Sequence, residues 1–138
     1  MKTIIKVIII IVILLLAFDQ SRTIYKIDGN HYITVWKRLG GECIITFDKH
    51  YSIFKPSRYI ETTTNNYLTI VINKELSKSN FAVLSGYDLP VKFVGYKNVD
   101  FYQPDQNDDF KKRYYINGDH LQHYLYFSID IKEQYMSK

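Results

Sequence analysis

From Ser21 onward, short runs of β-branched and aromatic residues alternate with turn-forming Gly, Asn, Asp and Pro. That pattern predicts strands. Residues 23–27, 31–39 and 42–48 are the first three. Gly40-Gly41 lies between the second and third and predicts a two-residue hairpin, since glycine tolerates positive φ at both positions. A turn of that size sets Trp36 opposite Ile45, Thr34 opposite Phe47 and Arg38 opposite Cys43. Tyr32, Trp36, Cys43, Ile45 and Phe47 then share one side, which is the expected core side.

The next apolar run, 51–54, is broken by Lys55-Pro56-Ser57. Residues 58–64 and 67–73 predict a second hairpin about Asn65-Asn66, with Leu68, Ile70 and Ile72 on one face. Residues 74–80 are polar and suit a helical turn or two. Short strands are expected at 81–84 and 91–96, and a polar loop at 98–109. Residues 112–116 and 121–131 predict a third hairpin about Asn117-Gly118. In the last strand Leu125, Phe127, Ile129 and Ile131 alternate with Tyr124, Tyr126, Ser128 and Asp130. The expected fold is mainly β: a compact antiparallel β-sandwich or open barrel of about seven strands over residues 21–138.

Before this domain the pattern changes. Residues 4–18 are apolar except for Lys6, and the run from Val7 to Phe18 is unbroken. A positive stretch leading into an apolar one has the form of a signal peptide or signal anchor. As a helix, residues 3–18 would reach ~24 Å, short of a hydrocarbon core of ~30 Å unless lysines snorkel and the bilayer thins. Cleavage wants small residues one and three positions before the cut. Cutting after Ala17 offers Leu15, and cutting after Ser21 offers Asp19. The sequence therefore favours a retained N-terminal hydrophobic helix over residues 1–20, meeting lipid through Ile4, Val7, Ile8, Ile11, Leu15 and Phe18. The alternatives are secretion after cleavage, or a buried core element. Lysines stay in the cytoplasm, so residues 21–138 are expected outside it, in a periplasmic or extracellular space.

Composition narrows the classes. With 138 residues and 46% apolar side chains, the chain can build a core and is not a disordered segment. One cysteine excludes a disulfide scaffold. The formal charge of +4 owes much to Lys2 and Lys6. The rest is near neutral, so nucleic acid is not an expected partner. The richness in Ile, Lys, Asn and Tyr suits an AT-rich, bacterial genome.

Catalytic signatures are missing. No P-loop, dinucleotide fingerprint, nucleophile elbow or zinc-protease helix appears. Glu42, Glu61 and Glu75 stand apart and do not form a recognisable carboxylate pair. Cys43 with His50 is conceivable as a nucleophile and base, but Cys43 reads better as a small buried hydrophobe. His120 and His123, preceded by Asp119, are the best metal-like group. At a strand start, three-residue spacing turns the two imidazoles to opposite faces, so no metal is expected there. Asp105, Asn107 and Asp109 resemble the opening of a calcium loop, but Phe110 stands where the EF-hand needs Gly and Ile116 where it needs Glu. No cofactor is expected.

Aromatics are the remaining oddity, with 13 Tyr and 8 Phe. Tyr114, Tyr115, Tyr124 and Tyr126 cluster near Lys112 and Arg113. Tyrosine beside cations suits a recognition patch for an envelope protein or a glycan. It also suits half-buried strands, where no ligand is needed. The expected function is a membrane-tethered or exported binding module of the cell envelope. A structural subunit of an envelope complex and a secreted enzyme with a hidden site are the alternatives.

Overall fold

The computed structural model describes residues 2–19, 21–73, 80–115, 124–133 and 135–137. His120, His123, Glu75 and the Asn117-Gly118 turn lie outside them. The chain runs α1 (Lys2–Asp19), β1 (Arg22–Asp28), β2 (His31–Lys37), β3 (Glu42–Thr46), β4 (Tyr59–Thr63), β5 (Tyr67–Asn73), β6 (Asn80–Ser85), β7 (Lys92–Val94) and β8 (Asn98–Tyr102). A short 3₁₀ turn (Pro104–Gln106), α2 (Asn107–Tyr114), β9 (Tyr124–Asp130) and β10 (Tyr135–Ser137) complete it.

The fold is mainly β, in two five-stranded sheets. One has the order β1-β2-β3-β4-β7 and the other β10-β9-β5-β6-β8. Both are open, so no barrel closes. The strands number more than the seven or so expected. The arrangement is not purely antiparallel either, because β6 and β8 pair in parallel. A parallel pair needs a long crossover. Here the crossover visits the first sheet as β7 on its way.

One apolar cluster joins the two sheets. The first sheet supplies Ile33, Val35, Cys43, Ile45, Phe47 and Ile60. The second supplies Leu68, Ile70, Ile72, Phe81, Val83, Phe127 and Ile129. The period-two faces of β5 and β9 therefore point where their sequence predicts. Each large side chain buried this way contributes ~1.5–3 kcal/mol. Phe47 and Tyr96 both meet the Phe81 ring edge-on, each with its centroid 4.8 Å away, and lie 5.8 Å from one another.

Four expectations fail locally. The segment 98–109, expected as a polar loop, instead holds β8, the 3₁₀ turn and the start of α2. The β2–β3 pairing is one residue out of the expected register, with Trp36 opposite Ile44 and Val35 opposite Ile45. The loop holds Leu39, Gly40 and Gly41 and closes on Arg38, whose amide donates to the Glu42 carbonyl at 2.8 Å. Both glycines have positive φ, 87° and 82°. A one-residue slip sends side chains to the other face. Trp36 therefore lies on the outer face of the first sheet, while Cys43, Ile45 and Phe47 stay inside.

The expected hairpin about Asn65-Asn66 is instead a corner between sheets, since β4 and β5 do not pair. Buried Asn66 secures it. Its amide nitrogen donates to Thr62 Oγ1 (2.9 Å), and its amide oxygen accepts from the Tyr67 amide (2.8 Å) and Ser85 Oγ (3.2 Å). Its carbonyl accepts from the Ile131 amide (3.2 Å).

The expected strand at 112–116 is largely helix, within α2. Asp108 and Asp109 occupy its first turn and Lys111, Lys112 and Arg113 its last, which suits the helix dipole at both ends. Phe110 and Tyr114, four apart, form its buried stripe.

α1 stands outside both apolar clusters. Its large side chains from Ile4 to Leu16 are between 47 and 65% exposed, which rules out a buried core helix. Ile4, Val7, Ile8, Ile11 and Leu15 are all exposed, and the side chain of Phe18 lies outside those described. Among the described residues no helix is long and apolar enough to cross a membrane. α1 has 18 residues, and Lys2, Lys6 and Asp19 interrupt its apolar character.

Candidate functional site

The outer face of the second sheet carries the tyrosines singled out by sequence. Val71 and Ala82 pair across β5 and β6, and Leu84, Tyr102, Tyr124 and Tyr126 share their cluster. α2 lies on this face through Phe110 and Tyr114. The rings interlock: Tyr102–Phe110 at 5.3 Å, Tyr114–Tyr124 at 5.9 Å and Tyr115–Tyr126 at 5.0 Å between centroids. The Tyr126 hydroxyl donates to the Tyr114 carbonyl at the C-terminal end of α2.

The structure therefore brings all six expected binding residues together, but in two roles. Tyr114 is buried, and Tyr124 and Tyr126 are half-buried as the floor beneath α2. Lys112, Arg113 and Tyr115 are exposed along its rim. Asp100 on β8 ties the rim down. It accepts from the Tyr114 hydroxyl (2.8 Å) and pairs with Arg113 Nη2 (3.2 Å). Burial pushes the Tyr114 hydroxyl well above the usual tyrosine pKa, and its bond to Asp100 adds to that. Burial raises Tyr115 and Tyr126 as well.

A second constellation sits on the outer face of the first sheet, where the register places Trp36. The indole is buried under cations and a loop. Arg22 Cζ lies 4.0 Å from its ring centre, Arg38 Cζ 5.0 Å, and the His50 ring 5.8 Å. Residues 47–58 form the cover. Thr34 Oγ1 donates to the Asp48 carbonyl (2.6 Å) and accepts from the His50 amide (3.1 Å). Arg22 donates to the carbonyls of Tyr51 (3.2 Å) and Ser52 (2.6 Å). His50 Nε2 donates to the Phe54 carbonyl (2.7 Å), closing the tip on itself.

Glu42 and Glu61, which seemed isolated in sequence, meet at Lys55 on the returning leg of this loop. Arg38 also pairs with Glu42, at 2.8 Å. Burial works against the Glu42 carboxylate, but Lys55 and then Arg38 outweigh it and hold its pKa below the ordinary value. The hydrogen bond that Lys55 donates to Glu42 holds the Lys55 pKa above its own ordinary value.

Beneath the loop is a cleft of about 300 Å³ lined by Asp48, His50, Ser57, Arg58 and Tyr96, with Thr46, Phe47 and Pro56. Burial pushes the Tyr96 hydroxyl up to about 12, against the nearby Arg58. The cleft has the size and polarity for a small polar ligand. Cys43 does not reach it. Its side chain faces the core, on the opposite side of the sheet from Trp36 and His50, and burial pushes its thiol up to about 12. The nucleophile and base imagined from Cys43 and His50 are thus separated by the sheet.

Asp105 sits in the 3₁₀ turn, and Asn107 and Asp109 open α2. Among the described residues no group of three or more His, Cys, Asp or Glu side chains could hold a metal ion. Sequence reasoning missed the Trp36 constellation, since Arg22 and His50 are distant from Trp36 in sequence and only the register turns the indole towards them. Compared with protein-family models, curated proteins and solved structures, the chain matches none.

Proposed function

We propose that the chain is a membrane-tethered binding module, a β-sandwich held at a lipid bilayer by α1. The observation that carries this reading is the exposure of α1. Its apolar side chains face outward all round, while the β domain keeps a complete core of its own. A contiguous apolar surface of that kind is unfavourable in water and favourable in lipid, at ~25 cal/mol per Å². The unbroken apolar part, residues 7–18, would cover only ~18 Å as a helix, so insertion relies on snorkelling of Lys2 and Lys6 and on local thinning of the bilayer. The same lysines orient it, with the β domain on the non-cytoplasmic side.

In this reading the domain recognises a neighbour in the cell envelope, a protein or a glycan. The exposed rim of Lys112, Arg113 and Tyr115 on α2 is the surface offered. It is rigid, because Phe110, Tyr114, Tyr124 and Tyr126 pack beneath it. Rigid aromatic and basic side chains lose little entropy when they bind.

The test is capture from membranes. Full-length protein tagged at Lys138 is expressed, cross-linked and recovered from carbonate-washed membranes. The expected result is retention in the membrane fraction with a stoichiometric partner, lost in an Arg113→Ala, Tyr115→Ala double variant that still folds. A soluble species beginning near Phe18 would overturn the tether, and an intact partner yield from the double variant would overturn the α2 rim.

A further inference from the structure

We infer that the tip of the loop covering Trp36 is a second membrane contact, with Tyr51, Ile53 and Phe54 entering the interfacial layer of the bilayer that holds α1. The inference rests on the membrane-tethered reading. Within four residues of chain these three large side chains are 70, 59 and 74% exposed. They are held out in spite of a well-anchored backbone. The Arg22 guanidinium grips the carbonyls of Tyr51 and Ser52, Ser52 Oγ accepts from the Phe54 amide at 3.1 Å, and His50 Nε2 meets the Phe54 carbonyl. A rigid tip presents its apolar groups without an ordering cost at contact.

Position selects lipid as the occupant. α1 ends at Asp19 and β1 begins at Arg22, so at most ~11 Å of chain separates them. The residue that grips the tip is thus the first residue of β1, the first strand after α1. The Lys37 amide donates to the Ser21 carbonyl (3.1 Å), which brings the end of β2 and the exposed Leu39 to the same place. Wherever the C-terminal end of α1 meets the membrane surface, the tip and Leu39 lie beside it.

The chemistry agrees. Tyrosine favours the interfacial layer, where one end of its ring is wet and the other apolar, and isoleucine and phenylalanine add apolar area that lipid can cover. Lys49 and Lys55 flank the tip in sequence, and Arg22, Lys37 and Arg38 stand at the chain exit. Glu42 and Glu61 are both engaged by Lys55, and Asp48 beside Lys49 and Asp19 at the end of α1 are the acidic groups next to these cations in sequence. Two attachments, one through α1 and one through the tip, would fix the tilt of the domain and hold the α2 rim in one orientation.

The test uses the full chain in vesicles of phosphatidylethanolamine and phosphatidylglycerol. Cysteines introduced by Ile53→Cys, Leu14→Cys and Asn30→Cys are each labelled with an environment-sensitive fluorophore. Buried Cys43 stays unlabelled in the folded protein. Asn30 is the aqueous control, exposed in the turn at the opposite end of β1. The expected result is blue-shifted emission at 53 quenched by nitroxides near the lipid headgroup, deeper quenching at 14, and iodide quenching at 30. Iodide access at 53 with lipid quenching at 14 would overturn this contact and leave the tether standing. Protection at 53 from both iodide and lipid nitroxide would mean a protein cover, a second copy or a partner, and would also overturn it. Iodide access at both 53 and 14 would overturn the tether itself.

Discussion

The guanidinium of Arg22 lies face-on to Trp36, with its carbon 4.0 Å from the ring centre. The same group donates to two loop carbonyls, so one side chain joins the edge strand, the indole and the loop. Arg22→Ala should remove a cation–π contact of ~0.5–2 kcal/mol and two charge-assisted hydrogen bonds. The expected outcome is a loss of ~2 kcal/mol in denaturant unfolding. Trp36 is the only tryptophan, so its emission should shift to the red as the cover loosens. Arg22→Lys should not restore it, because an ammonium cannot stack and fork together. Unchanged emission in Arg22→Ala would refute this account of the cover.

Asn66 joins two sheets through hydrogen bonds with Thr62, Tyr67, Ser85 and Ile131. Asn66→Ala would remove the three made by its side chain and leave Thr62 and Ser85 with fewer partners in a buried site. A loss of ~2–3 kcal/mol is expected. A shift in the urea midpoint at unchanged slope would report it. A variant as stable as the parent would show that the corner is set by other groups.

The Glu42–Lys55 pair gives stability a pH dependence with two limbs. Glu42 titrates lower in the folded chain than in the unfolded one. Its contribution is present above the unfolded carboxylate pKa and is lost as pH falls through the folded value. Lys55 titrates higher when folded. Its contribution is present below the unfolded lysine pKa and fades as pH rises through the folded value. Glu42→Gln should flatten part of the acid limb of a stability–pH curve and reduce the alkaline one. An unaltered curve would show that the pair is fully screened by solvent.

Gly95 has φ of 73°, and a Cβ there would collide with the Ser57 carbonyl and approach Arg58 Cγ to 2.7 Å. Gly95→Ala combines a strained backbone with overpacking of the loop that covers Trp36. A loss of ~1–3 kcal/mol is expected, read as a lower thermal midpoint. A neutral substitution would mean that residues 57–58 yield without cost.

Much of the fold is local and was legible. The alternation in β5 and β9 selects its buried face within each strand, and both faces point as their sequence requires. The apolar run of α1 is a helix, and its composition alone marks it as foreign to the β core. The charge order of Asp108 to Arg113 also carried a helix signal, which the neighbouring tyrosines obscured.

What the sequence could not determine depends on partners distant in the chain. Trp36 sits outside the core because the β2–β3 loop closes on Arg38 and Glu42, one residue away from the shorter turn. Local glycine chemistry permits either closure, and the packing of Val35 and Ile45 against the second sheet selects one. Asn66 read as a turn residue, and only the tertiary structure makes it a corner, because Ser85 and Ile131 come from other strands. The exposed tip at Tyr51, Ile53 and Phe54 was legible only as an apolar run broken at Lys55-Pro56-Ser57. Its backbone polar groups are taken up by Arg22, His50 and Ser52, while its apolar side chains stay exposed. Local periodicity determined the elements and the apolar helix. Long-range pairing decided which faces they turn to one another, and so which side chains are left to meet something else.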